Sequence, residues 1–193
     1  MNTRARILEA DKRFVFRPYT GTEEHANEDS LVVVAAEGPF LIDADGRRFL
    51  DASGAWWTNH LGYQHPRLIA ALTRQASTLA HAPLAGATHG PAAELAEALI
   101  ARTPGLSRVF YSDDGSTSIE VAVKAVYQYF AQNGEPSRTR FLALPAGYHG
   151  DTVGAMSLGA LDAFTHVHAP LLFDVTRAPE PDETGFERTF AWL

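Results

Sequence analysis

The chain has 193 residues, of which 46% are hydrophobic and 20% charged, a composition typical of globular proteins. Its longest apolar run, Leu31 to Ala36, is far too short to span a membrane, and the net charge of −7 argues against a non-specific nucleic-acid binder. The absence of cysteine excludes disulfides, thiolate metal sites and a cysteine nucleophile. Only Lys12 and Lys124 are available to a mechanism that needs a lysine.

The first third of the sequence predicts a small antiparallel unit between two irregular segments. Residues 1–30 are polar and show no regular apolar spacing. Three strand-like segments follow between Leu31 and Asp51, and Asp45-Gly46 is a hairpin signal between the second and the third. The segment 52–65 is aromatic and punctuated by glycine, which predicts a loop.

The remaining sequence predicts alternating helices and strands. Pro66 and Pro91 each suit the first turn of a helix, and the first of these helices continues to about residue 80. A strand over 108–112 precedes a strongly periodic helix over 116–130, and "RFLALP" is another short strand. Such spacing implies a parallel βαβ unit, whose ligands bind beyond the C-terminal ends of the strands.

The turn "DDGST" between the strand and the periodic helix has two interpretations. Gly115 allows a ligand to approach closely, Ser116 and Thr117 add hydroxyl donors, and the first N–H groups of a helix favour an anion. The same residues fit an ordinary helix cap, formed by Asp114 or by a capping box of Thr117 and Glu120. Asp114 would also repel a phosphate unless its side chain points away. Taken alone, the turn favours the cap.

Two other motifs contain candidate functional side chains. In "GYHGDT", Tyr148 could lay its ring on a flat cofactor or substrate, and His149 and Asp151 could orient groups by hydrogen bonds; the alternative is a polar turn. Trp56 and Trp57 could anchor a core or an interface, or form the wall of a substrate site.

Two further groups have structural interpretations. His166 and His168 are expected on one face of a strand, and no metal site is expected there because no cysteine or well-spaced carboxylate accompanies them. Lys124 follows Glu120 by four residues, the order that favours a surface ion pair over a catalytic amine.

The final segment, "DETGFERTFAWL", predicts the start of a helix without a cap, so we expect the chain to stop in mid-domain.

Four segments together resemble one protein family. They are "RPYT", "DGRRFLDASGAWWTNHLGYQHP", "ATHGPAAELAEALIARTPGLSRVFYSDDGSTSIEVAVKAVYQYF" and "RFLALPAGYHGDTVGAMSLG". In this order they are similar to the class III, fold-type-I PLP-dependent aminotransferases over about residues 13–160. Within that family, the joint occurrence of "PYT", the paired tryptophans and "GYHGDT" resembles the members that act in biotin synthesis.

The resemblance implies an α/β fold and a role for each matched residue. Residues 1–64 would form an N-terminal segment with the small antiparallel unit, and residues 65–193 the first part of the large PLP-binding domain. No catalytic or metal-binding residue is assigned. The roles implied are cofactor binding for Gly115, Ser116 and Tyr148, and substrate binding for Trp56, Tyr19, Tyr148 and Asp151.

The resemblance also implies a reaction and an assembly. The amino group of S-adenosylmethionine moves to 8-amino-7-oxononanoate, giving 7,8-diaminononanoate, in a cytoplasmic homodimer. The Schiff-base lysine of the family lies beyond residue 193, so the chain is expected to be an N-terminal portion that is inactive alone. Two alternatives stay open: a class III aminotransferase of ω-amino acids or diamines, and a non-catalytic fragment.

Overall fold

The computed structural model describes residues 3–160 and 165–180 and divides into two compact units, Met1–Gly90 and Pro91–Leu193. Its elements are mixed α/β, with one antiparallel and one parallel sheet, as predicted. The helix predicted for the final twelve residues, 182–193, lies outside the described residues. The domain boundary predicted after residue 64 stays a prediction.

The N-terminal segment, predicted to be irregular, contains two helices, α1 Thr3–Phe14 and α2 Thr22–Asn27. Sequence spacing did not predict them because they have no apolar stripe; Leu8 is the one buried residue described in α1. Lys12, near the end of α1, forms an exposed ion pair with Asp29, with Nζ 2.9 Å from Oδ1. The prediction for residues 1–30 was therefore wrong.

The small antiparallel unit is present as predicted. Its strands β1 Val33–Glu37, β2 Phe40–Asp43 and β3 Arg48–Leu50 pair in the order β1-β2-β3. Gly46 has φ 79° in the hairpin between β2 and β3, a conformation that favours glycine. The buried carboxylate of Asp43 accepts backbone N–H groups across the same turn.

The paired tryptophans lie in a left-handed helical turn, α3 Gly54–Trp57, and not in an irregular loop. The φ values of its four residues are 57°, 50°, 54° and 69° in chain order. L-residues rarely adopt this conformation because Cβ crowds the following carbonyl oxygen. No propensity pattern favours such a turn, so the sequence could not predict it.

The three helices predicted from the apolar spacing and the prolines are confirmed. They are α4 Pro66–Thr78, α5 Gly90–Ile100 and α6 Gly115–Gln132. Their apolar faces are not covered within the described chain, because no residue of these helices is buried there. Across residues 3–160 and 165–180, no helix has the length and apolar composition to cross a membrane.

The parallel pairing differs from the predicted one. β4 Leu142–Ala143 pairs in parallel with β5 Thr176–Arg177, and α7 Val153–Leu158 lies between them in the sequence. Residues 108–112 form no strand in the described structure. A strand forms where its side chains are buried and its backbone is paired, whereas Phe110 is exposed.

His166 and His168 lie in a 3-10 helix, His166–Leu171, and not on a strand as predicted. Pro170 lies inside this segment and has no backbone N–H to donate to a strand partner, which explains the difference.

Candidate functional site

A groove of about 680 Å³ lies at the start of α6, between the first turn of that helix and the segment that precedes α7. Its lining includes four of the six predicted site residues: Gly115, Ser116, Tyr148 and Asp151. The two motifs that the sequence placed beyond neighbouring strands therefore meet in space, although residues 108–112 are not a strand.

Ser116 connects the two sides of the groove. Its Oγ lies 2.8 Å from Thr152 Oγ1 and accepts the Thr152 backbone N–H at 3.0 Å. Gly150 has φ 121°, and a Cβ there would lie 2.8 Å from the Cα of Ser116. Since side chains do not pack so closely, only glycine allows this approach.

The carboxylate of Glu120 holds the start of α7. Its Oε1 accepts the backbone N–H groups of Gly154 at 2.7 Å and Ala155 at 3.2 Å. Hydrogen bonds from the Thr152 hydroxyl and from these N–H groups lower the pKa of Glu120 below its ordinary value. At the other end of α7, Arg177 donates to the last helical carbonyls at 2.7 and 2.8 Å. A helix of six residues is therefore capped at both ends by side chains from outside it.

The capping box predicted for Thr117 and Glu120 is formed by Asp114 and Thr117 instead. Asp114 Oδ1 accepts the Thr117 N–H at 2.7 Å, and Thr117 Oγ1 accepts the Asp114 N–H at 3.0 Å. The hydrogen bonds from Thr117 lower the pKa of Asp114. The first helical residues, Gly115 and Ser116, have no intrahelical acceptor for their N–H groups. Open space surrounds Gly115 where a Cβ would stand, so an anion has room to approach.

Tyr148 lies on the groove wall with an exposed ring, 74% accessible. Its hydroxyl donates to Asp151 Oδ2 at 3.1 Å. His149, also on this wall, packs over Gly147, where a Cβ would lie 2.7 Å from the His149 Nε2 atom. The wall thus offers a flat aromatic face whose polar end is oriented by a carboxylate.

The other two predicted site residues, Tyr19 and Trp56, belong to the N-terminal unit and lie together there. Their ring centroids are 5.9 Å apart with the planes tilted by 35°, and the two residues are 61% and 67% exposed. Beside them, the Tyr63 hydroxyl is the main cause of the lowered pKa of Asp51, and Asp51 in turn raises the pKa of Tyr63.

Neither lysine lines the groove. Lys12 pairs with Asp29, and Lys124 lines a separate hollow with Tyr127 and Phe173. The ion pair predicted between Glu120 and Lys124 does not occur among the ion pairs of the described residues. The reason is that Glu120 instead accepts backbone N–H groups of α7.

Sequence reasoning missed the residues that hold the site together. Gly150 and Thr152 are part of "GYHGDT" but gave no separate signal. Glu120 was assigned to the wrong partners, because its true partners lie more than thirty residues away. Asp51 did carry a signal, since an aspartate followed two residues later by serine fits a side-chain turn.

Comparison with protein families matches residues 22–189 to the family described as aminotransferase class-III. The chain belongs to the class III aminotransferases. Enzymes of this family depend on PLP. The open, glycine-lined start of α6 and the exposed Tyr148 ring fit the phosphate and the flat ring of that cofactor.

Curated relatives that are about 40% identical to this chain have one name in common. The adenosylmethionine-8-amino-7-oxononanoate aminotransferase of Nitratidesulfovibrio vulgaris is 43% identical over 180 residues, which cover 92% of this chain and 33% of the relative. The enzyme of the same name from Methanocaldococcus jannaschii is 40% identical over 183 residues, covering 94% and 40%. This chain therefore spans between a third and two fifths of the length of these curated class III relatives.

Solved structures agree with this assignment. The crystal structure of the Methanocaldococcus jannaschii enzyme superposes with a TM-score of 0.88 at 39% identity, covering 93% of this chain and 41% of that one. An ω-transaminase of Pseudomonas jessenii in complex with PMP superposes with a TM-score of 0.76 at 32% identity, covering 80% and 35%. The fold is thus that of the N-terminal part of a fold-type-I aminotransferase.

Proposed function

We propose that the whole protein containing this chain is a PLP-dependent aminotransferase of biotin synthesis. It transfers the amino group of S-adenosylmethionine to 8-amino-7-oxononanoate and gives 7,8-diaminononanoate. The observation that carries the proposal is the groove at the start of α6, which gathers every residue expected to bind the cofactor. The name shared by relatives at about 40% identity supports the choice of substrates.

On the cofactor side, Gly115 and Ser116 bind the phosphate. Their backbone N–H groups start α6, where the helix dipole favours an anion, and the Ser116 hydroxyl adds a donor when it turns from Thr152 Oγ1 to the phosphate. Asp114 also lines the groove, and its carboxylate accepts the N–H of Thr117, so the phosphate binds beside this carboxylate. The exposed ring of Tyr148, on the groove wall, would lie against the cofactor ring. Bound PLP supplies the electron sink that transamination requires.

On the substrate side, Trp56 and Tyr19 form an aromatic wall that contacts the amino donor and the keto acceptor. Their contact at 5.9 Å and their exposure support this role, since exposed aromatic pairs are common at binding surfaces. Asp151 orients Tyr148 by accepting its hydroxyl proton in a hydrogen bond. The whole protein acts in the cytoplasm as a homodimer, and its substrates are small molecules.

A direct assay tests the proposal. The purified whole protein is incubated with PLP, S-adenosylmethionine and 8-amino-7-oxononanoate, and 7,8-diaminononanoate is measured by mass spectrometry. We expect product that depends on both substrates. A parallel incubation offers ω-amino acids and diamines as donors, because ω-transaminases share this fold. Transfer from those donors without any use of 8-amino-7-oxononanoate would contradict the proposal.

A further inference from the structure

The turn that carries the paired tryptophans has strained backbone. Gly54, Ala55, Trp56 and Trp57 all have φ between 50° and 69°, and three of these four residues have side chains that disfavour that region. Strain of this kind persists only where surrounding interactions overcome it. Since Trp56 and Trp57 are exposed, burial of the indole rings does not supply those interactions within this unit.

The carboxylate of Asp51 supplies them. Its Oδ1 accepts the N–H of Ser53 at 3.2 Å and the Ser53 hydroxyl at 2.9 Å. Its Oδ2 accepts the N–H of Ala55 at 2.7 Å and the Tyr63 hydroxyl at 2.6 Å. One side chain therefore fixes the residue before the left-handed turn and the residue directly before Trp56.

The backbones of Asp51 and Tyr63 connect the turn to the sheet. The Asp51 N–H donates to the carbonyl of Pro39 at 2.9 Å, and the Tyr63 N–H donates to the carbonyl of Gly38 at 2.7 Å. Both acceptors lie between β1 and β2. Asp51 and its partner Tyr63 thus fix the tryptophan turn relative to the sheet, although the turn itself has no strand pairing.

We propose that Asp51 is a positioning residue, which acts through Ala55 and Tyr63 to set the direction of Trp56 and thereby the recognition of the keto acceptor. This inference rests on the proposed function for its substrate. Loss of the Asp51 charge weakens four hydrogen bonds at once, and the turn relaxes toward right-handed backbone. The Trp56 ring then leaves its place beside Tyr19, and acceptor binding weakens while the chemical step is spared.

The chain offers a matched control in Asp43. This aspartate is the last residue of β2 in the same sheet and holds a turn, accepting the N–H groups of Asp45 at 3.0 Å and Arg47 at 2.8 Å. It is 3% exposed, and no described hydrogen bond joins it to the tryptophan turn. Asp43→Asn therefore measures the general effect of weakening a carboxylate that holds a turn in this unit.

The experiment compares Asp51→Asn, Tyr63→Phe and Asp43→Asn in the whole protein. Fluorine NMR of protein labelled with 5-fluorotryptophan, with the Trp56 resonance assigned from Trp56→Phe, reports the ring position without any need for activity. Steady-state kinetics with 8-amino-7-oxononanoate report KM and kcat separately. Tyr63→Phe removes a single hydrogen bond to Asp51, so it keeps the inference testable if Asp51→Asn does not fold.

We expect Asp51→Asn to shift the Trp56 resonance and to raise the KM for the acceptor about tenfold, with kcat changed less than about threefold. Tyr63→Phe moves both readouts in the same direction by less. Asp43→Asn lowers the melting temperature and moves neither readout. An unmoved Trp56 resonance in Asp51→Asn and Tyr63→Phe overturns the inference, and so does a moved resonance with an unchanged KM. If wild-type protein does not use 8-amino-7-oxononanoate, that result contradicts the proposed function but not the role of Asp51. The Trp56 resonance then still tests whether Asp51 positions the ring.

Discussion

The tryptophan turn of the N-terminal unit and the groove at the start of α6 are held in opposite ways. At the turn, Ala55 and Trp56 have unfavourable φ values, and the Asp51 carboxylate holds them by accepting hydrogen bonds. At the groove, the helix is regular, and close packing of Gly150 against Ser116 brings the two sides together. The turn therefore depends on a charge, whereas the groove depends on the absence of a side chain.

A carboxylate that accepts backbone N–H groups is nevertheless common to both regions. Asp51 accepts N–H groups around the tryptophan turn, and Glu120 accepts the N–H groups at the start of α7. In neither region does the carboxylate itself belong to the predicted site. In both regions, neighbouring carboxylates fix the backbone that presents the exposed aromatic and hydroxyl groups of the proposed site.

The largest effect is expected for Gly150→Ala. A Cβ at this position meets Ser116 at 2.8 Å from its Cα, and φ 121° is unfavourable for alanine. Overpacking and strain together cost about 3 kcal/mol, so PLP affinity should fall by about 100-fold in a fluorescence titration of the whole protein. The control is Gly134→Ala, because Gly134 has φ 86° with open space around it. Equal losses in the two variants would show that close packing does not shape the groove.

Glu120→Ala should give the next largest effect. The variant leaves the N–H groups of Gly154 and Ala155 without their acceptor, which costs about 1–3 kcal/mol. We expect PLP affinity to fall by about tenfold, because Thr152 and Ser116 lose their fixed arrangement. Glu97→Ala, at an exposed glutamate of α5, is the control and should leave the affinity unchanged. An unchanged PLP affinity in Glu120→Ala would contradict the role of this carboxylate in shaping the groove.

The charge of Glu120 also predicts a pH dependence. Its pKa in the folded protein lies below the ordinary value of 4.5, so the ionised form is the one that folding favours. The stabilisation is complete above pH 4.5 and is lost as the pH falls through the folded pKa. Urea unfolding of wild type and Glu120→Gln should therefore give a difference in free energy that is constant above pH 5 and shrinks below about pH 4.5. A difference that stays constant into acid would contradict this assignment.

Lys124→Gln should give the smallest effect. Lys124 has no ion pair with Glu120 in the described structure, and exposed pairs of this kind contribute little in any case. We expect the free energy of unfolding to change by less than about 0.5 kcal/mol in urea titrations. A loss well above 1 kcal/mol would mean that the lysine, and not the backbone of α7, is the main partner of Glu120.

The sequence predicted those parts of the fold that local patterns encode. The apolar spacing of α6, the prolines that start α4 and α5 and the Asp45-Gly46 hairpin are all local signals. It failed where distant partners decide the structure. The helix α1 has no apolar stripe and contacts Asp29, far along the chain, through Lys12, and residues 108–112 form no strand despite the apolar residues at their centre.

The same distinction applies to the candidate site. Gly115, Ser116, Tyr148 and Asp151 came from motifs, and the structure brings them into one groove. Their supporting residues could not be predicted, since the partners of Glu120 lie more than thirty residues along the chain. The left-handed turn at the tryptophans has no sequence signature except a glycine at its start.

The phosphate site is the central claim, and the PLP affinity of Ser116→Ala tests it most directly. The measurement is a fluorescence titration of the whole protein with PLP, supported by phosphorus NMR of the bound cofactor. Ser118→Ala is the matched control, because the Ser118 hydroxyl lies in the same first turn and bonds to the Asp114 carbonyl at 2.8 Å. The account predicts that Ser116→Ala weakens PLP binding about tenfold and shifts the phosphorus resonance, while Ser118→Ala does neither. Wild-type affinity and an unshifted resonance in Ser116→Ala would contradict it.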